Sequence, residues 1–344
     1  MLADLHIYNI ETDFALAAKS DFYTPPASVT RLRFSKALFP AVFASLGDAL
    51  MLLDHNGLET ICSLPYFQQV KEKQLTLLDR HGRIFYGEGD TGKLLSGKGA
   101  GFRARPWGWN RAIRRVLTKA LPALAGVPSD ADMLAIERLS HRRTTIAFHT
   151  MLDEFEVPHP QEFFNADDAM RMADEYQDLF FKAPWSSSGR GVVRSTEMTS
   201  EQLRRWIGGY IARQGSVMGE VAWPVALDFA SEWECRNGAA EFVGWSVFNA
   251  SNQGRYMGNR LASQSDLKTL IASAASVDPD RIVQIQQRAI ESLIAPDYSG
   301  PLGIDCLATP EGKVNPCVEI NIRTTMGHAA IWQLNDKLGA HNEN

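Results

Sequence analysis

Cysteine is scarce. There are four in 344 residues, and Cys62, Cys235, Cys306 and Cys317 stand far apart with no CxxC pair. That spacing excludes a disulfide framework and any readable zinc motif, and it suits reduced thiols. Positive charge is not in excess: 35 Lys and Arg face 40 Asp and Glu, a formal net charge of −5. An acidic chain has no general attraction for nucleic acid or an anionic membrane, although a local basic patch stays open. No stretch approaches the roughly 20 apolar residues of a membrane span. The opening MLADLHIYN carries an acid where a signal peptide needs basic residues. The expected place is the cytoplasm, with neither nucleic acid nor membrane as partner. No internal repeat or low-complexity tract stands out.

What is present is an ordinary globular balance, 45% hydrophobic and 22% charged. The length exceeds one ordinary core and calls for two or three lobes. Residues 1–125 read as an α/β unit with short strands near 5–10, 50–53 and 83–86. Residues 120–129, broken by Gly126 and Pro128, read as a connection. The apolar spacing of Leu139, Ile146, Leu152 and Phe155 predicts one helix over 131–155, ended by Pro158 and Pro160. An apolar strand follows at 178–183. Thr199-Ser-Glu-Gln202 is a capping-box pattern before a helix carrying Leu203, Ile207, Tyr210 and Ile211. From 216 onward strands dominate. Asn237-Gly238 marks a hairpin between 225–235 and 240–248. Ile282, Ile285, Ala289 and Leu293 mark a helix face, strands follow at 302–308 and 314–323, and a last helix starts near Thr325. The expected organisation is an α/β lobe (1–125), a middle lobe (126–215) and a β-rich lobe (216–344). The mixed order of the last part argues for α+β.

The C-terminal strand pair carries the most chemistry. In Val318-Glu319-Ile320-Asn321-Ile322-Arg323, side chains alternate faces, so Val318, Ile320 and Ile322 share one and Glu319, Asn321 and Arg323 the other. Across the turn Thr309-Pro-Glu-Gly312, Asp305 sits between apolar neighbours. Paired strands run about 4.8 Å apart, so Asp305 and Glu319 are placed to project together, with Asn321 one step on. Two such carboxylates need a cation or a proton between them, and magnesium suits hard oxygen ligands. The plainer alternative is a solvent-facing side of an edge hairpin.

The second segment is Phe181-Lys182-Ala-Pro-Trp-Ser186-Ser187-Ser188-Gly189-Arg190-Gly191. Lys182 ends an apolar strand, where a lysine needs an anionic partner. The small residues after it form a loop whose N–H groups suit phosphate oxygens. A hairpin turn with a snorkelling lysine is the competing reading. Gly87-Glu-Gly-Asp-Thr-Gly92-Lys93-Leu94 nearly spells a phosphate-binding P-loop. Leu94, however, stands where a Ser or Thr hydroxyl is required, and the glycines that follow make a poor helix. It reads as a loop.

Taken together, residues 137–328 resemble the ATP-grasp superfamily. The carriers are Val157-Pro158-His-Pro160, Phe181-Lys182 with SSSGRGV, Ser216-Val-Met-Gly-Glu220-Val221-Ala222, and Gly300-Pro-Leu-Gly-Ile-Asp305 followed by Glu319-Ile-Asn321-Ile-Arg323. The resemblance implies an α/β N-terminal lobe that helps bind substrate, then two α+β lobes clasping ATP. It implies that Lys182 and the loop Ser186, Ser187, Ser188, Gly189, Arg190 and Gly191 hold phosphate. Adenine falls to Glu220 or the backbone at Val221 and Ala222, and ribose to Asp228. Asp305, Glu319 and Asn321 would hold one or two Mg2+ ions, with Arg323 facing the transferred phosphoryl group or substrate carboxylate. The pattern departs at Arg142 and Arg143, which stand where a lysine is usual. Arginine binds phosphate bidentately, so the role can pass to either. Thr324-Thr-Met-Gly-His328 is also unusual, and reads as a cap whose helix N-terminus favours an anion.

The resemblance implies an ATP- and Mg2+-dependent ligase. A small-molecule carboxylate, an amino acid or peptide among the options, is activated as an acylphosphate and joined to an amine or thiol. Loop closure over 185–191 would exclude water. A phosphotransferase and a non-catalytic ATP-binding module are the alternatives, and a homo-oligomer stays open. The acceptor side is less legible. Asn252-Gln-Gly-Arg255-Tyr256-Met-Gly-Asn259 reads as a substrate clamp or a surface loop. Trp107 and Trp109 read as core, and His141, His149 and His159 as structural.

Overall fold

The computed structural model describes residues 2–54, 57–87, 93–186, 189–250 and 256–341, without the side chains of 153, 250 and 335–341. Ser187, Ser188, residues 88–92 and residues 252–255 therefore lie outside the described residues. The chain forms two compact units, with the division after Leu134. Among the described residues no helix is long and apolar enough to cross a membrane.

The N-terminal unit holds strands β1 (Ala3–Ile7), β2 (Ala49–Leu52), β3 (Thr76–Asp79), β4 (Ile84–Tyr86) and β5 (Phe102–Pro106), in the order β4-β3-β2-β1-β5. β3, β2, β1 and β5 run parallel, with β4 antiparallel at the edge. Parallel strands must be covered on both faces, and alternation supplies the two apolar sets. Leu5, Ile7, Ala49, Met51 and Leu78 pack with Ile113 and Leu117 of the helix Arg111–Ala120. Leu50, Leu52 and Leu77 pack with Leu38, Ile61 and Val70. Trp107 is buried. After Lys93 comes a short 3-10 turn, Ser96–Gly99, where a P-loop would need a long helix.

The second unit contains two antiparallel sheets. One is β6 (Gln161–Phe163), β9 (Val217–Val221), β7 (Leu179–Lys182) and β8 (Val192–Arg194), in that spatial order. The helices Ala166–Glu175 and Ser200–Gln214 share its core through Met172, Leu203 and Ile207, against Phe163, Phe181 and Val217. The capping box is formed: Gln202 N donates to Thr199 Oγ1 at 3.3 Å, and Thr199 N donates to Gln202 Oε1 at 3.0 Å. The other sheet runs β12 (Tyr256–Asn259), β11 (Ala239–Ala250), β10 (Leu227–Arg236), β13 (Gly300–Ala308) and β14 (Val314–Asn321). The β10–β11 turn has φ of 52° at Asn237 and 80° at Gly238. Positive φ at both central residues is what a tight hairpin following the strand twist requires.

The single helix expected over 131–155 is corrected to two, Asp130–Leu139 and Thr144–His149, followed by a 3-10 turn at Asp153–Phe155. The break has a tertiary cause. Arg142 N donates to Pro184 O at 3.1 Å, outside any helical ladder, and Thr145 Oγ1 donates back to Arg142 O at 2.6 Å. The interruption carries the Arg142 side chain toward the loop that follows β7.

Candidate active site

Strand register sets the acidic face. Asp305 of β13 lies opposite Glu319 of β14, and Gly303 opposite Asn321. On the other flank of β13, Ala230 pairs with Asp305 and Glu232 with Gly303. The partner of Leu307 is Asn315, so the β13–β14 register shifts just past the acidic pair. Pro316 sits in that shift, where its missing N–H leaves no gap in the ladder. Asn321 Nδ2 donates to Asp305 Oδ2 at 3.3 Å, and Arg323 Nη2 donates to Asn321 Oδ1 at 2.7 Å. Burial pushes the Asp305 carboxyl up to about 8, helped by the charges of Glu319 and Glu232. An ionised Asp305 therefore needs a nearby cation.

Among the described residues no group of three or more His, Cys, Asp and Glu side chains is arranged to hold a metal ion. Two carboxylates and an amide fit a different cation. Magnesium is held by one or two carboxylates and takes its remaining ligands from water and phosphate. Asp305 and Glu319 are the two carboxylates that would fill such a role. As placed, Asn321 turns its amide nitrogen to Asp305 and its oxygen to Arg323. Its oxygen joins the two carboxylates only if the amide rotates.

Facing this sheet's acids are the cations of β7 and the interrupted helix. Lys182, at the end of β7, is 6% exposed and ion-paired with Glu220 of β9. Arg142 is 7% exposed. Its Nη1 donates to Ala183 O at 2.5 Å and to Ser186 Oγ at 2.7 Å, and its Nη2 donates to Glu319 Oε1 at 2.7 Å. Arg142 Nε is buried and has no hydrogen-bond partner among the described residues. Arg143 instead pairs with Glu162 at 2.7 Å, so of the two arginines Arg142 is the one at the site. Ala183 N donates to Gly191 O at 2.7 Å, closing the base of the loop. Gly191 has φ of 73°, and a Cβ there would lie 2.9 Å from Ser186 Cβ, so a larger residue would be strained. Gly189 lines the cleft and Arg190 is exposed.

Of these groups Arg142, Lys182, Gly189, Glu220, Asp305 and Glu319 line a cleft of about 570 Å³ within the second unit, whereas Asn321 and Arg323 are not in its lining; the size is in the range of small-molecule sites. Its lining includes the apolar side chains of Phe180, Val221, Trp223 and Leu307. It also includes the charged groups of Arg142, Lys182, Glu220, Asp305 and Glu319. Asp228 also lines it, and burial raises its carboxyl to about 6. Ala222 N donates to Asp178 O at 3.0 Å, which commits that N–H elsewhere. Cys306 and Cys317 are buried, and burial pushes both thiols up, so neither offers a ready thiolate. His149 lines the cleft and donates from Nε2 to Cys317 O at 2.6 Å, while the His141 ring meets Trp185 edge-on at 4.4 Å.

Sequence reading passed over one network beside this face. Glu232, Ser246, Thr325 and His328 are all buried and share hydrogen bonds. Thr325 Oγ1 accepts from Gly327 N at 3.1 Å and His328 N at 3.2 Å, and donates to Glu232 Oε2 at 2.8 Å. The anion expected at the start of the last helix, Met326–His341, is therefore internal: the Glu232 carboxylate. A lone glutamate in the apolar run Phe229-Ala-Ser-Glu-Trp was the available signal.

A cleft between an acid-bearing antiparallel sheet and a lysine-bearing one is the architecture of the ATP-grasp fold, and the second unit has it. No protein-family model matches the sequence, and no curated protein matches it. Solved structures do match. The biotin carboxylase domain of 2-oxoglutarate carboxylase from Hydrogenobacter thermophilus, solved with MgADP, ADP and bicarbonate, aligns with a TM-score of 0.52 at 12% identity, covering 98% of this chain and 70% of that one. Biotin carboxylase from Campylobacter jejuni, a complex with β,γ-ATP, aligns at 0.50 and 12% identity, covering 96% and 67%. At such identity the likeness speaks for the fold.

Proposed function

We propose that this chain is an ATP- and Mg2+-dependent ligase joining a small-molecule carboxylate to an amine. One observation carries the reading: the cross-strand pair Asp305–Glu319 shares a cleft with the buried cations Lys182 and Arg142. Two acids for a metal and two cations for phosphates, facing each other, match what a metal–nucleotide complex presents. The apolar lining residues Phe180, Val221 and Trp223 would offer a surface for adenine, and Asp228, in the same lining, would take the ribose.

In the first step a carboxylate oxygen of the substrate attacks the γ-phosphorus, the bond to the β,γ-bridging oxygen breaks, and ADP leaves. In the second, an amine attacks the acyl carbon, the C–O bond to phosphate breaks, and the amine loses a proton. Bound Mg2+ would neutralise phosphate charge. Lys182 and Arg142 would exchange their carboxylate partners for phosphate oxygens, and Arg323 would hold the transferring group.

Incubation with ATP, Mg2+ and pools of amino acids and simple amines tests this by phosphate release and product mass. Release that requires two substrates together supports ligation. A phosphorylated product that accumulates points to phosphotransfer, and nucleotide binding without turnover points to a non-catalytic module.

A further inference from the structure

Glu232, on β10, is 1% exposed. A carboxylate so placed needs a partner for each oxygen. Oε1 accepts from Ser246 Oγ at 3.0 Å, and Oε2 accepts from Thr325 Oγ1 at 2.8 Å. His328 Nδ1 stands 2.9 Å from Oε2 and accepts from Thr325 N at 3.3 Å. The other ring nitrogen faces Trp233 O at 3.1 Å. The carboxylate thus joins β10, β11 and the turn that follows β14.

Two glycines let backbone lie directly on it. A Cβ at Gly327 would fall 1.8 Å from Glu232 Oε1, and one at Gly303 would fall 2.6 Å from Oε2. The turn pinned this way begins with Arg323, whose Nη1 donates to Thr324 O at 3.2 Å and whose Nη2 donates to Asn321 Oδ1 at 2.7 Å. Asn321 in turn reaches Asp305. Contact therefore runs from Glu232 through Thr325 and the turn to Arg323, Asn321 and Asp305. Across the sheet, Glu232 is opposite Gly303, and Gly303 is opposite Asn321. The glutamate sits one row from the Asp305–Glu319 pair on the same face of the sheet, outside the lining of the cleft.

We propose that Glu232 is a positioning residue: it clamps the Thr325–His328 turn to the sheet and so sets Arg323 and Asn321 around the cation that Asp305 and Glu319 would hold. The inference rests on the nucleotide–metal reading given above. Partners in this outer layer commonly govern metal affinity by about 10- to 100-fold. A clamp that merely stabilised the fold would lack that selective effect.

The test uses the full chain, ADP as probe, and three variants: Glu232→Gln, Thr325→Val and Thr325→Ser. ADP affinity is measured with and without Mg2+, and thermal unfolding is followed without ligand. Thr325→Val and Glu232→Gln should lose about tenfold of the tightening that Mg2+ gives. Their metal-free ADP affinity should stay within about twofold, and Thr325→Ser, which keeps the hydroxyl, should retain the tightening. Should Glu232→Gln fail to fold, Ser246→Ala carries the test with the same expected loss, since it removes one hydrogen bond from a carboxylate that stays, whereas Thr325→Val also removes the acceptor of Gly327 N and His328 N. Full Mg2+ tightening in folded variants refutes the clamp. A parallel loss of both affinities with thermal stability also refutes it, leaving a structural role alone. An unmodified chain that binds ADP no better with Mg2+ sinks the metal reading, and the clamp with it.

Discussion

Removing the Arg142 guanidinium should make the metal bind more tightly and the nucleotide more weakly. Arg142 Nη2 lies 2.7 Å from Glu319 Oε1, and the two side chains are 7% and 23% exposed. Charges about 4 Å apart at an effective dielectric of about 20 attract by about 4 kcal/mol before desolvation is counted. Desolvation offsets much of that, leaving a coupling of about 1–3 kcal/mol, or about 5- to 150-fold. A divalent cation at Glu319 must displace this guanidinium, so Arg142→Ala should raise Mn2+ affinity without nucleotide by about tenfold. The same change deletes a phosphate partner, so ADP should bind about tenfold or more weakly without metal. Mn2+ binding is read by its paramagnetic resonance signal, with and without ADP. Linkage adds an internal check: the factor by which ADP tightens Mn2+ must equal the factor by which Mn2+ tightens ADP, and both should shrink in the variant. Mn2+ affinity that is unchanged or lower in a folded Arg142→Ala chain would refute the reasoning.

Glu319→Gln should abolish Mg2+-dependent turnover while its amide oxygen can still accept from Arg142 and so keep the fold; wild-type phosphate release would overturn its assignment. Lys182→Ala should weaken ATP binding by about tenfold or more, and it should cost stability too, because Glu220 loses its ion partner; unchanged nucleotide affinity counts against the phosphate role. Asp228 supplies a pH test. Burial raises its carboxyl from 3.8 to about 6, so the folded chain holds a proton that the unfolded chain has lost, and stability falls as pH rises across that interval. The stability advantage of Asp228→Asn, measured by urea unfolding, should grow from near zero at pH 4 to about 1–2 kcal/mol at pH 7, after discounting for partial exposure. A gap that stays flat with pH contradicts the burial of that carboxyl.

Much of this geometry is legible in the sequence because it is local. Asn237-Gly238 and Thr199–Gln202 announce their turn and cap through backbone rules that hold in any fold. The juxtaposition of Asp305 and Glu319 follows from strand alternation across a short turn. Arg142 is different. Apolar spacing runs on through 140–143, and only the bond from Arg142 N to Pro184 O shows why the helix stops there. Glu232 was hidden for a similar reason. In an alternating strand a glutamate looks solvent-facing, and its partners Ser246 and Thr325 lie 14 and 93 residues away. A lone glutamate in an apolar run flags a buried charge, but the partners that make it tolerable come from elsewhere in the chain.

Three carboxylates in or beside the cleft each face a basic side chain. Glu220 is held by Lys182, Glu319 by Arg142, and Glu232 faces His328. Asp305 has no such single ion partner among the described contacts, and its carboxyl is the one driven up to about 8. Bringing MgATP into such a cleft exchanges charges more than it inserts them. Phosphates take the cations, and the metal takes the acids that those cations release. Phosphate alone would strand Glu319 and Glu220 without counter-charge, and metal alone would strand Arg142. Each half-exchange leaves a buried charge unpaired, which is costly. The arrangement therefore favours the complete metal–nucleotide complex over either component, and affinity for ADP and for Mn2+ measured separately should underestimate their joint binding.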